Sequence, residues 1–253
     1  MIKVYYRFYE ELNKYLPEEK HKVWFEVKYE KRISVLNALH IFNIPQKKVD
    51  LLLVNQKSKG FDYVLKNNDR ISVYPVFELF DITDLTKVRE KPLRNIKFVC
   101  DVHLGKLCKY LRMLGFDTLY SNQNKPNDIV KISNNDNRIV LSKDYSYNKN
   151  KNITHFYWVR SSDSREQLKD LIRKMQLVKS INPFTRCIIC NDYIKEIDKN
   201  KVKDRLLPNT NKFFNKFYIC RTCDKIFWKG SHYEDMVEFI NRHFIIKNTN
   251  GLS

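Results

Sequence analysis

Ile96-Lys97-Phe98-Val99-Cys100-Asp101-Val102-His103-Leu104-Gly105-Lys106-Leu107-Cys108-Lys109-Tyr110-Leu111-Arg112-Met113-Leu114-Gly115 reads as a strand, a carboxylate and a helix in succession. The first five residues have the short apolar character of a buried strand, which closes on Asp101. Leu104, Leu107, Leu111 and Leu114 recur at helical spacing and so share one face. Gly115 follows them, and glycine accepts the left-handed conformation that ends many helices. The unit then repeats. Thr118-Leu119-Tyr120 restarts a strand, and Asn127 can cap a helix bearing Ile129, Val130 and Ile132. Arg138-Ile139-Val140-Leu141-Ser142 is the next strand and ends at Asp144, and His155-Phe156-Tyr157-Trp158-Val159 is another. A helix from Asp163 to Gln176 follows, with Leu168, Leu171, Ile172 and Met175 facing in. Strands alternating with helices in short units predict a parallel, doubly covered α/β sheet over residues 95–180.

Asp101 and Asp144 each follow a parallel strand at its carboxyl end, the side on which such sheets bind ligands. Right-handed crossovers keep both strands pointing the same way, so both carboxylates are expected on one rim. Asp128 opens a helix between them and can reach that rim. Three carboxylates gathered there repel one another unless a cation is present, and hard oxygen ligands suit Mg²⁺ or Mn²⁺. Such ions activate water and hold the attacking and leaving oxygens of a phosphodiester. The same residues have plainer uses. Asp128 can be only a helix cap, and Asp101 and Asp144 only turn residues. Asp163 is a candidate fourth acid, or the cap of the helix that follows it. Asp117 lies at the far side of the preceding helix and reads as a turn residue. Arg112 can bind phosphate or pack its stem on the sheet.

Upstream, Ile2, Val4, Tyr6 and Phe8 alternate with polar residues, the period of a half-buried strand. Val23-Trp24-Phe25-Glu26-Val27 reads as its hairpin partner. Ser34 can cap a helix through Phe42, with Val35, Leu36, Leu39 and Phe42 on its apolar face. Val49-Asp50-Leu51-Leu52-Leu53-Val54-Asn55 and Asp69-Arg70-Ile71-Ser72-Val73-Tyr74 are two more strands. The order ββαββ over residues 1–82 predicts an α+β β-grasp, ubiquitin-like domain. The segment resembles the small sulfur-carrier branch of β-grasp proteins, which end in a free diglycine. Here the chain runs on through Phe80-Asp81-Ile82 instead, so a docking module with a protein partner is expected rather than a carrier. Residues 83–94, with Lys87, Arg89, Glu90, Lys91 and Pro92, read as a polar linker.

Downstream lie Cys187-Ile188-Ile189-Cys190 and Cys220-Arg221-Thr222-Cys223. Two such pairs fit a tetrahedral Cys₄ zinc site, each offering two thiolates from one tight turn, so residues 181–253 are expected to form a zinc ribbon and a C-terminal helix. Four cysteines close the coordination shell, which makes this zinc structural. Two disulfides are the rival reading. The N-terminal Met1-Ile2-Lys3-Val4-Tyr5-Tyr6-Arg7 lacks a signal peptide's apolar stretch, and no run approaches membrane-span length. A reducing, cytoplasmic compartment without membrane attachment is therefore expected, which favours metal. Between the pairs, Lys199 to Arg205 and Lys212 to Tyr218 interleave basic and aromatic residues. That pattern suits RNA backbones and unstacked bases, or fills the ribbon's small core. His232 is expected as a cap or an RNA-facing residue. The net charge of +18 points to a polyanionic partner, although lysine and asparagine are abundant throughout.

Phe98 to Thr118 as a whole resembles the signature of the Mut-seven C-terminal RNase family, a PIN-like nuclease group. Its members carry a zinc ribbon and, in many cases, a β-grasp domain in front. Asp128-Ile129-Val130 is similar to the family's second acidic position, and Arg138-Ile139-Val140-Leu141-Ser142-Lys143-Asp144 to its third. Glu166-Gln167-Leu168, Thr185-Arg186-Cys187-Ile188-Ile189-Cys190-Asn191 and Trp228-Lys229-Gly230-Ser231-His232 also fit, so the resemblance runs in order along nearly the whole chain. Cys108 stands where alanine is usual and His103 where an apolar residue is. Ser142-Lys143 replaces Thr-Arg; the serine keeps a hydroxyl that can orient Asp144, while lysine lacks arginine's fork. The resemblance implies a metal-dependent ribonuclease, a hydrolase with RNA as partner, using Asp101, Asp128 and Asp144 and, fourth, Asp163. The choice of RNA over DNA rests on it alone. The alternative is a non-catalytic RNA-binding or adaptor protein that keeps the PIN-like fold.

Overall fold

Alternation along the first strand decides the first of two compact units, Met1–Asn95 and Ile96–Ser253. A computed structural model describes residues 1–77, 81–150, 152–153 and 155–244. Phe80, in the run-on after the β-grasp segment, lies outside the described residues. Val4, Tyr6 and Phe8 of β1 (Ile2–Phe8) are buried, and β1 pairs antiparallel with β2 (Phe25–Tyr29). Strand β2 sits two residues further on than the sequence predicts. Lys22 takes a left-handed φ of 58°, and the register sets Val27 against Val4 and Tyr29 against Ile2. The buried Tyr29 hydroxyl then donates to the Tyr6 hydroxyl at 3.1 Å.

Helix α1 (Val35–Ile41) is capped by Ser34, whose Oγ accepts the Asn37 N–H at 3.3 Å. It buries Val35, Ala38 and Leu39 against the sheet. The strands β3 (Leu51–Val54), β4 (Lys57–Ser58) and β5 (Asp69–Tyr74) complete a mixed sheet in the order β2-β1-β5-β3-β4, with β1 and β5 parallel. This is the β-grasp topology expected. Residues 83–94, read as a linker, are fastened to this unit. Thr86 Oγ1 donates to the Asp50 carbonyl at 2.6 Å, Arg89 Nη2 to the Val49 carbonyl at 2.6 Å, and the Leu93 N–H to Asp50 Oδ1 at 2.9 Å.

In the second unit β6 (Lys97–Cys100), β7 (Asp117–Leu119), β8 (Ile139–Ser142) and β9 (Phe156–Trp158) form a wholly parallel sheet in the order β7-β6-β8-β9. The two-residue period of β6 divides the interior. Phe98 and Cys100 face one core with Leu107 and Leu111 of α2 (Gly105–Met113) and Leu168 and Leu171 of α4 (Ser164–Lys174). Val99 faces the other with Ile129 of α3 (Pro126–Asp136). Helix α3 starts earlier than the sequence predicts: Lys125, not Asn127, holds the cap position. Pro126 fixes a helical φ and lacks the N–H that a first turn leaves unpaired. Gly115 ends α2 with φ +90°, where an added Cβ would lie 2.1 Å from the Asn182 carbonyl oxygen.

The same unit carries a three-stranded antiparallel sheet, β10 (Ile194–Ile197), β11 (Phe217–Cys220) and β12 (Ile226–Trp228), in that order. Helix α5 (Pro208–Phe213) lies between the cysteine pairs. The last helix, α6 (Ser231–Phe244), puts Ile240 and Phe244 into the core of α2 and α4. Among the described residues, no helix is long and apolar enough to cross a membrane.

Candidate functional site

Strands β6 and β8 are neighbours, and the Asp101 N–H donates to the Leu141 carbonyl at 3.0 Å, so the two chain segments leave the sheet side by side. Asp101 is buried. Its carboxylate accepts the N–H groups of His103 at 2.8 Å and Lys143 at 3.1 Å, and the Ser142 hydroxyl. Ser142 Oγ in turn accepts the Asp144 N–H at 2.8 Å. The serine hydroxyl thus joins both acids, through one carboxylate and one backbone amide. The sequence suggested that it orients Asp144 alone.

Asp144 is exposed, and its Oδ1 accepts the Ser146 N–H at 2.8 Å. That bond and the Ser146 side chain hold its carboxyl below the usual range against desolvation, with a lesser contribution from the nearby His103 imidazole. His103 Nδ1 lies 3.7 Å from Asp101 Oδ1. The Tyr147 phenol is pushed up by burial and then by the charges of Asp101 and Asp144, which both act on this one hydroxyl. One carboxylate is rigidly held and the next is open to solvent. Sequence reasoning noted His103 only as a departure and did not single out Tyr147; the Asp-Val-His spacing was the available signal.

The other two acids are engaged at helix starts. Asp128, half-buried in the first turn of α3, accepts the Lys125 N–H at 3.0 Å through Oδ2. Asp163 caps α4, accepting the N–H groups of Arg165 and Glu166 at 2.9 Å each, and these bonds hold its pKa down. Asp117 starts β7. Burial pushes its carboxyl up, but the bonds from Arg138 at 2.6 Å and Asn191 at 2.8 Å, with the Arg186 charge, outweigh this and leave it lowered. Arg112 is buried and donates to the carbonyls of Thr118 at 2.9 Å, Ile188 at 3.3 Å and Ile189 at 2.6 Å. Of the two uses the sequence left open, its donors are turned to the protein's own carbonyls.

Ile188 and Ile189 stand between Cys187 and Cys190, so Arg112 ties the first cysteine turn to the parallel sheet. Asn191 adds to this by accepting the Thr118 N–H at 2.9 Å and donating to Asp117. Both turns close on a left-handed residue, Asn191 with φ 78° and Asp224 with φ 57°. The ligand atoms of Cys187, Cys190, Cys220 and Cys223 all lie within 4.8 Å of one another. Among the described residues this is the set gathered closely enough to hold an ion; the aspartates are not so gathered. The 187–223 and 190–220 sulfurs are 3.5 and 3.3 Å apart, too far for disulfides and near the edge of about 3.8 Å that a tetrahedral zinc thiolate site requires. Burial pushes Cys190 up to about 12, whereas N–H groups of Cys223 and Thr222 and the Cys190 thiol bring Cys220 below an ordinary thiol against its own burial. The set can hold a metal such as zinc.

The second unit is thus a parallel α/β domain with acids at adjacent strand ends, bearing a four-cysteine ribbon. The chain belongs to the Mut7-C RNAse domain family. That family's model matches residues 96–240, more than half of the chain, and the Mut7-C ubiquitin model matches residues 1–81. No curated protein and no solved structure matches the chain.

Proposed function

We propose that the chain is a metal-dependent ribonuclease. The observation that carries this reading is the Asp101–Ser142–Asp144 linkage at the carboxyl ends of two adjacent parallel strands. Asp101 and Asp144, with Asp128 from α3, would hold Mg²⁺ or Mn²⁺, which when bound supplies an activated water and neutralises charge on a phosphodiester. Asp101 keeps a fixed orientation under its three donors, while Asp144, held through Oδ1 by the Ser146 N–H, is open to solvent. Asp163 remains a fourth candidate, occupied as a cap. The exposed Lys143, next to Asp144 in sequence, and the net charge of +18 favour a nucleic-acid polyanion, and the RNAse family match favours RNA. The four cysteines would bind zinc in a structural role, closing the ribbon without a position for water. The β-grasp unit would dock a protein partner.

One observation favours a second reading, a non-catalytic RNA-binding adaptor: Asp128 is engaged by the Lys125 N–H rather than gathered with Asp101 and Asp144. Purified protein incubated with Mn²⁺ and RNA, beside Asp101→Asn and Asp144→Asn, separates the two. Each substitution is expected to lower cleavage about a hundredfold or more. Cleavage that survives both rules out the assigned site, and RNA binding without cleavage by the unaltered chain selects the adaptor.

A further inference from the structure

Beside the acidic rim, four rings run outward from the core. Tyr147 lies 6.4 Å from Phe156, Phe156 lies 6.2 Å from Tyr145, and Tyr145 lies 4.9 Å from Trp158. The inner two belong to the core beneath α3. The outer two do not: Tyr145 is 47% exposed and Trp158 is 38% exposed. Core filling accounts for Tyr147 and Phe156 and leaves the outer pair unexplained.

Both exposed rings are held in place. Asn148 Nδ2 donates to the Tyr145 hydroxyl at 2.9 Å, and Trp158 Nε1 donates to the Lys143 carbonyl at 3.1 Å. The Arg160 guanidinium sits 4.5 Å from the Trp158 ring centre. Lys143 is the residue between Ser142 and Asp144, and Tyr145 follows Asp144 directly. The rings are therefore anchored to the loop that carries the exposed acid. Arg160 covers one face of Trp158 and the two rings are tilted by 58°, so the ring surface left open beside the exposed Lys143 fits one planar base attached to phosphates that the cations meet.

We propose that Tyr145 and Trp158 form a stacking subsite for an unstacked base of single-stranded RNA, next to Asp101 and Asp144. This rests on the ribonuclease reading for what happens at the neighbouring phosphodiester, but not for binding. Duplex RNA keeps its bases stacked inside the helix and presents none to the rings, so the subsite discriminates single strands from duplexes.

The test is binding of the full chain to a short labelled oligouridylate and to an RNA duplex of equal length, with no divalent cation added so that cleavage does not interfere. Tyr145→Leu and Trp158→Leu keep apolar bulk but remove the aromatic face. Each is expected to weaken single-strand binding about tenfold or more, the scale of stacking on one base, and to leave duplex binding unchanged. Tyr145→Phe and Trp158→Phe, which keep an aromatic face but lose the hydroxyl or indole N–H anchor, are expected to retain clearly more single-strand affinity than the leucine variants and show that the position folds. Leucine variants that bind the single strand normally, or lose duplex affinity equally, overturn the proposal. So does an unaltered chain with no single-strand affinity, which leaves the pair to a protein partner. If the leucine losses appear while Mn²⁺ supports no cleavage, the subsite stands and the ribonuclease reading falls.

Discussion

Arg112 shows how much one side chain can fix. Its guanidinium serves carbonyls 6, 76 and 77 residues away in sequence, on β7 and on the first cysteine turn. Lysine cannot reproduce that fork, so Arg112→Lys is expected to leave buried carbonyls unpaired and cost about 3 kcal/mol. Urea unfolding measures this, and zinc transfer to a chelator should be faster in the variant. Asp117 makes a second residue-scale prediction. Its folded pKa lies below the unfolded value of about 3.9, so its stabilising effect is complete above that value and lost as pH falls through the lower folded one. Asp117→Asn should therefore lower the urea midpoint at neutral pH, and the gap from the unaltered chain should close in acid. A gap that widens in acid would contradict the assignment.

At the scale of elements, Gly115 ends α2 in a conformation and a space that no other residue fits. Gly115→Ala combines a positive φ with a methyl group 2.1 Å from the Asn182 oxygen, and is expected to cost about 3 kcal/mol or more, measured by thermal or urea unfolding. The leucine period of α2 and the final glycine made this helix legible in the sequence. The apolar run of β8 was equally plain, because a strand buried on both faces admits few polar residues. Boundaries set by local backbone chemistry were less so. Pro126 moved the start of α3, and the left-handed Lys22 went with a β2 that begins later than read. The acids at the strand ends were legible as positions, but not their partners. The Ser142 hydroxyl reaches Asp101 across the sheet, and the Arg112 contacts depend on a fold that brings distant segments together. Periodicity carries no information about such pairs.

For the whole molecule, the two compact units are expected to fold separately, as fragments 1–95 and 96–253. Each should melt cooperatively on its own. A chelator should lower the melting temperature of 96–253 and leave that of 1–95 unchanged. Structural zinc contributes about 10–16 kcal/mol in small zinc-finger peptides, so a downward shift of about 10 °C or more is expected for the second fragment. Calorimetry of both fragments with and without chelator checks this, and an equal shift in both would contradict the assignment of the metal to the cysteine ribbon.

The fastening of the first cysteine turn by Arg112, Asp117 and Asn191 bears on how such a protein can be inherited. A ribbon lifted out by recombination would leave Arg112 and Thr118 behind and arrive in a new host without the groups that hold Ile188, Ile189 and Asn191. The parallel sheet and the ribbon are therefore expected to be inherited together, and a ribbon grafted alone onto another sheet is expected to hold its metal less tightly.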